Sequence, residues 1–328
     1  MAAGPHRFTW DLDKTYLRTE FETIRGLLRA AFEPAEEKQA YPGASTLLRA
    51  LKRRPGHRLH ILSGSPRQMR RALERKLALD GIMWDRFKLK PNLENVLRGR
   101  FHDVREQVGY KLAALLRWRA RDPEPVSETL VGDDSEADAF VYSLYADLVA
   151  GWVGSRELGE VLTLTECHPE TRARIDDALG RVVLREAVGR VLIHLDRRTP
   201  PEALRAFGPR CVPVSNYFQV ALVLHADGRV ADRDVVDVAR EMAGAAGYGT
   251  AALVHALVDL VRRGHLAPDA ARRIGTVMAD ALGGRPWRGL PAALAEAGRG
   301  RRPAPAAGAG ARRVDYAALY RSTGGRPG

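Results

Sequence analysis

Cysteine is almost missing from this chain of 328 residues: Cys167 and Cys211 stand alone, 44 positions apart. Two thiols at that spacing exclude a disulfide framework and a cysteine-based zinc site, and both are expected to be reduced, mostly buried thiols of a cytoplasmic protein. Long apolar runs are also absent. No stretch approaches the roughly 18 residues that a membrane-spanning helix needs, and Met1 to His6 carries no apolar secretory core, so a soluble, non-exported protein is expected. Lysine disappears after Lys111, and every later cation is arginine. With abundant Ala and Gly, that skew is associated with GC-rich bacterial genomes. The net charge of +12 would suit a polyanionic partner, but it is spread as +5 over residues 1–150 and +7 over 151–328. Half of the excess falls after Glu296, in a stretch rich in Arg, Pro, Ala and Gly. No basic stripe with interleaved aromatics accompanies it, so nucleic acid is not the favoured partner.

What the chain does have is carboxylates in telling places. Asp11-Leu12-Asp13-Lys14-Thr15 follows the short run Phe8-Thr9-Trp10. Two carboxylates two residues apart beyond a strand can serve one phosphate, Asp11 as nucleophile and Asp13 as acid for the leaving group, with Thr15 locking the turn. A second apolar run, Leu59 to Leu62, opens into Ser63-Gly64-Ser65-Pro66. Lys111 lies on a later helix. Ser127 to Val131 then runs into Gly132-Asp133-Asp134-Ser135-Glu136-Ala137-Asp138. Each group has a plainer reading: a surface turn for the first two, a solvated helix residue for Lys111, and a helix N-cap for Asp133 and Asp134. Lys88 and Lys90 are alternative catalytic amines.

Four such clusters in this order resemble the haloacid dehalogenase (HAD) superfamily of phosphohydrolases, over residues 7 to about 152. Within it, Pro42-Gly43, Ser63-Gly64-Ser65-Pro66 and the run from Gly132-Asp133 through Asp138 to Tyr142 look most like the phosphatidate phosphatase catalytic domain of the yeast actin-patch type and its bacterial relatives. Phe140 stands where that subfamily would place an acid, and Asp134 where it would place a small residue. The lipid substrate is therefore not carried over with the fold.

The residues themselves support the same chemistry. A phosphomonoester and a carboxylate repel, so a metal ion must lie between them, and Mg²⁺ suits an all-oxygen site. Asp11, the backbone carbonyl of Asp13 and Asp133 would hold it, with Asp138 or Asp134 gripping its waters. Lys111 would keep Asp11 ionised and pair with the phosphate. Ser63 and the backbone N–H groups of Gly64 and Ser65 would hold the other phosphate oxygens. The expected activity is hydrolysis of a phosphomonoester through an aspartyl-phosphate, on lipid phosphate or another substrate. A nucleic-acid-end phosphatase, a phosphotransferase and a non-catalytic phosphate-binding scaffold remain open.

The N-terminal half alternates β-like and helical stretches, which predicts a Rossmann-like three-layer α/β/α domain with a parallel sheet over residues 1–154. Leu17 to Lys38 reads as helix, and Thr46 to Arg53 begins the next. The gaps from Asp11 to Ser63 and from Ser63 to Lys111 are each about 50 residues. Core elements use that length up, so no inserted cap is expected and a large or surface-presented substrate fits. Residues 155–295 read as a mostly helical second domain, with stretches at 156–165, 169–188, 213–226, 232–245, 249–264 and 268–282. His194, His225, His255 and His265 lack metal spacing and read as packed or surface residues, Tyr217 and Phe218 as a core pair. Arg197-Arg198-Thr199-Pro200-Pro201 is a candidate phosphate or headgroup contact. Residues 296–328 are expected to be a disordered tail, with Val314 to Tyr320 as the part that folds on a partner.

Overall fold

The computed structural model describes residues 4–18, 34–90, 104–122, 126–135, 137–245, 248–299 and 313–322. Six strands form one sheet: β1 His6–Trp10, β2 His57–Pro66, β3 Arg86–Lys90, β4 Ser127–Asp133, β5 Val188–His194 and β6 Cys211–Val214. The helices are α1 Ala44–Lys52, α2 Arg70–Leu79, α3 Val104–Arg119, α4 Asp138–Val149, α5 Ser155–Leu164, α6 Pro169–Leu179, α7 Tyr217–Ala226 and α8 Asp232–Gly244. They continue with α9 Thr250–Arg262, α10 Pro268–Leu282, the single turn α11 Arg285–Arg288, α12 Leu290–Arg299 and α13 Tyr316–Ser322.

The sheet runs β3-β2-β1-β4-β5-β6, with parallel pairing from β3 through β5. Every residue of β1 is buried, as a strand covered by helices on both faces must be. Register places the chemistry. Trp10 lies opposite Ile61 on one side and Val131 on the other. One residue beyond Trp10 and two beyond Ile61 and Val131, Asp11, Ser63 and Asp133 therefore emerge at the same carboxyl edge, where ligands of open parallel sheets bind.

At the other end of the strands, the Arg7 guanidinium is 1% exposed and lies 2.7 Å from Glu128, with Asp122 also paired to it. The Tyr145 hydroxyl donates to Glu128 at 3.0 Å. Burial works against the cation, but the surrounding anions outweigh it and hold Arg7 above its ordinary pKa. Burial and the neighbouring Glu128 carboxylate push Tyr145 up as well.

The chain divides into two compact units. One contains the sheet with α2 to α6 and also α13; the other contains α1 and the helices from α7 to α12. The sheet-bearing unit does not stop at residue 154. β5 pairs with β4 through Glu128 to Asp133 and buries Val191, Leu192 and Ile193, so the stretch 169–188 holds a shorter helix that ends at Leu179 and leads into a strand. Short apolar runs do not distinguish strand from helix, which is why β5 and β6 escaped the periodicity. Nor is the interval between Asp11 and Ser63 filled by the sheet's own helices alone. Within the helical unit, α1 buries Leu47, Leu48 and Leu51, Gly43 N–H donates to Glu241 at 2.9 Å and Arg53 pairs with Asp234 at 3.1 Å. The helix expected over Leu17 to Lys38 lies largely outside the described residues, since 19–33 are not described.

In the helical unit, α8, α9 and α10 match the expected stretches closely. Asp232 and Thr250 are first helical residues, the N-caps being Ala231 and Gly249. Gly264, at φ +82°, follows the end of α9, where the left-handed conformation favours glycine. Tyr217 and Phe218 are core residues at 1% and 0% exposure. The tail is only partly as expected. Helix α12 continues through Arg299, and α13 packs within the sheet-bearing unit. Among the described residues, no helix is long and apolar enough to cross a membrane.

Candidate active site

Asp11 takes its place because its backbone N–H donates to Val131 at 2.9 Å, extending the β1–β4 ladder by one bond before the chain turns. The turn over residues 14–16 requires Lys14 at φ +55°, a conformation uncommon outside glycine and frequent where function constrains the backbone. The Lys14 carbonyl accepts a hydrogen bond of 3.0 Å from His194 Nδ1. A carbonyl can only accept, so the proton sits on Nδ1. His194 is 5% exposed and burial lowers its pKa below the ordinary histidine value. It is a packed residue, as expected, yet it braces the turn after Asp13 from β5. Sequence spacing carried no signal for that role, because β5 itself was not visible.

The carboxylates converge. Lys111 Nζ is fully buried and donates to Asp11 Oδ1 at 3.2 Å and to Asp138 Oδ1 at 2.5 Å. Asp11, Asp133 and Asp138 each offer an oxygen within 4.8 Å of the others. Asp133 is oriented by Ser135, whose backbone N–H and hydroxyl both donate to Oδ1, and by Thr15 Oγ1, which donates to Oδ2 at 3.4 Å. Lys88 and Lys90 are not the amines beside Asp11. Lys88 Nζ lies over the Tyr110 ring, 5.4 Å from its centroid.

Asp13 lies on the opposite flank, with Oδ2 accepting from Ser63 Oγ at 3.0 Å and from Ser65 Oγ at 2.5 Å. Ser63 Oγ in turn accepts from the Ser65 N–H at 2.9 Å. The Ser63-Gly64-Ser65 turn is thus pinned to the Asp13 carboxylate. Gly64 faces α3: a β-carbon there would lie 2.5 Å from Gln107 Nε2. Gln107, 3% exposed and one turn before Lys111, was not singled out by the sequence.

Asp134 is the candidate that the structure places elsewhere. Its two oxygens accept from the N–H groups of Arg197 at 2.8 Å and Thr199 at 2.9 Å. It closes the loop after β5 and is not among the clustered carboxylates. The Arg197-Arg198-Thr199 segment accordingly meets Asp134 through its backbone.

The donor set fits Mg²⁺. Asp11 and Asp138 share the Lys111 ammonium, and Asp133 is buried beside them, so among the described residues three clustered carboxylates meet one ammonium out of water, a state that a bound cation would stabilise. All available donors are oxygen, the preference of that ion. Asp11, Asp133 and Asp138 are the residues positioned to hold it.

Comparison of the whole chain with curated proteins and with solved structures gave no match. A family model did match over residues 6–139, that of the haloacid dehalogenase-like hydrolase. This segment begins with β1 and ends just inside α4, so it takes in every clustered carboxylate together with Lys111, Thr15 and Ser63. Over residues 6–139, less than half of its length, the chain is similar to the haloacid dehalogenase-like hydrolases.

Proposed function

We propose that the chain is a Mg²⁺-dependent phosphomonoester hydrolase that works through an aspartyl-phosphate on Asp11. The observation that carries this reading is the buried group of Asp11, Asp133 and Asp138 around Lys111. Mg²⁺, when bound, neutralises the repulsion between the Asp11 carboxylate and the phosphate oxygens.

Lys111 keeps Asp11 ionised and supplies a second positive charge to the phosphate. An Asp11 oxygen attacks phosphorus, the ester P–O bond breaks, and the departing alcohol takes the proton carried by Asp13. The bonds from Ser63 and Ser65 to Asp13 favour its carboxylate form. When those hydroxyls turn to grip a substrate phosphate, Asp13 is released to carry the proton. Water then attacks the phosphoryl group, Asp13 accepts its proton, the bond from Asp11 to phosphorus breaks, and phosphate leaves. Thr15 and the N–H groups of Gly64 and Ser65 complete the phosphate cradle. The proposed substrate is large or surface-presented, lipid phosphate included, and the phosphate-release panel below separates it from a nucleic-acid end.

The test is turnover of p-nitrophenyl phosphate with Mg²⁺, with EDTA and in Asp11→Asn, followed by a phosphate-release panel containing phosphatidate and a 3′-phosphorylated oligonucleotide. Turnover that needs the metal and is lost in Asp11→Asn is expected. Absence of turnover on every member would move the reading to a phosphate-binding scaffold.

A further inference from the structure

A second group of cations lies away from the carboxylates. A cavity of about 340 Å³ is lined by Arg117 and Arg121 from the end of α3 and by Arg174, Asp177 and Arg181 along α6. Its size is at the lower end of small-molecule sites, which run from about 300 to 1,000 Å³. Arg117 is six residues beyond Lys111 on the same helix, about 9 Å further along the axis at 1.5 Å per residue. The cavity is therefore separate from the hydrolase centre.

Among the described residues its charge is poorly balanced. Arg181 pairs with Asp177 and Arg174 with Glu170 at 3.3 Å, both exposed pairs one helical turn apart, of the kind that contributes little. Arg117 and Arg121 have no ion-pair partner among the described residues. Lys88 reports the resulting field: burial, and then Arg117, Arg174, Arg67 and Arg121, lower its pKa to about 8. Four guanidinium groups against two carboxylates, Asp177 and Glu170, leave the forks of Arg117 and Arg121 for oxygen anions, the arrangement that suits bidentate recognition of phosphate. The concavity favours a compact ligand over a flat surface or an extended strand.

We propose that the α3–α6 cavity is a binding site for a compact anion carrying two or more phosphate groups.

The test is calorimetric titration of sodium tripolyphosphate into the metal-free full-length protein, beside orthophosphate and a single-stranded oligonucleotide. The variants are Arg117→Ser/Arg121→Ser and Asp11→Asn, with thermal melting to verify that each is folded. Saturable tripolyphosphate binding is expected, tighter than orthophosphate, weakened by salt, reduced at least tenfold in the double arginine variant and unchanged in Asp11→Asn. The double variant should keep its p-nitrophenyl phosphate turnover. Equal affinity in that variant, or no binding, overturns the proposal. So does an oligonucleotide that binds more tightly than tripolyphosphate and loses affinity on the same substitution, since the cavity would then serve a nucleic-acid backbone. Binding in Asp11→Asn without metal makes the outcome independent of whether the hydrolase reading holds.

Discussion

Phe140 on α4 meets the ring of Tyr316 on α13 edge-on, with centroids 5.6 Å apart and an interplanar angle of 88°. Tyr320 meets the same ring at 5.9 Å. Phe140 is fully buried, and the Tyr316 hydroxyl donates to Asp147, two residues before the end of the same helix, at 2.6 Å. Phe140 is therefore the anchor of α13. An acid at this position would bury a charge among aromatic rings. Phe140→Asp is expected to lower stability by more than the roughly 3–5 kcal/mol typical of a buried Phe→Ala change. A chain ending at residue 312 should also melt at lower temperature, because it loses the cover over Phe140. Thermal denaturation of both checks this, and an unchanged melting temperature in the truncated chain would remove α13 from the folded unit.

A second expectation concerns the space beside Asp138. A β-carbon on Gly132 would lie 2.2 Å from Asp138 Oδ2 and 2.5 Å from its Cβ. Neither atom can remain there, so Gly132→Ala must displace the carboxylate that meets Lys111. Substitutions that disturb the support of a metal site cost about 10–100-fold in affinity or activity. Gly132→Ala should therefore show a loss of that size in Mg²⁺-dependent turnover, with an increased Mg²⁺ requirement. Full activity at the wild-type Mg²⁺ concentration would mean that Asp138 does not act at the metal.

The sequence exposed this much of the site because the chemistry is local. Each motif is a few polar residues directly after an apolar run, and parallel register carries Asp11, Ser63 and Asp133 to one edge whatever joins the strands. Asp134 shows the limit of such reading. In sequence it stands directly beside Asp133, but its partners are the backbone of Arg197 and Thr199, which pattern alone does not bring near. β5 and β6 were hidden by brevity. α13 was half visible: Val314 to Tyr320 stood out from the Ala, Gly and Arg around it as a segment that folds on a partner, but Phe140, the partner within this chain, lies far away in sequence. The placement of α1 in the helical unit depends on long-range contacts such as Arg53 with Asp234, and an amphipathic stripe does not say what it will pack against.

The bond from His194 to Lys14 leads to a pH dependence whose sign is fixed. Burial lowers the His194 pKa in the folded state, so below an unfolded value of about 6.5 the unfolded chain binds more protons than the folded one. Stability then rises with pH through that window and is lost on acidification. His194→Asn keeps an N–H donor near the position of Nδ1 and removes the titration. Denaturant midpoints measured from pH 7 down to pH 5.5 should fall in the wild type and fall less steeply in His194→Asn. At pH 7 the variant should retain most of its turnover, since the Lys14 carbonyl keeps a donor, whereas His194→Leu should lose both the bond and the geometry of the Asp13 turn. Parallel acid profiles in the wild type and His194→Asn would show that His194 is not the group responsible.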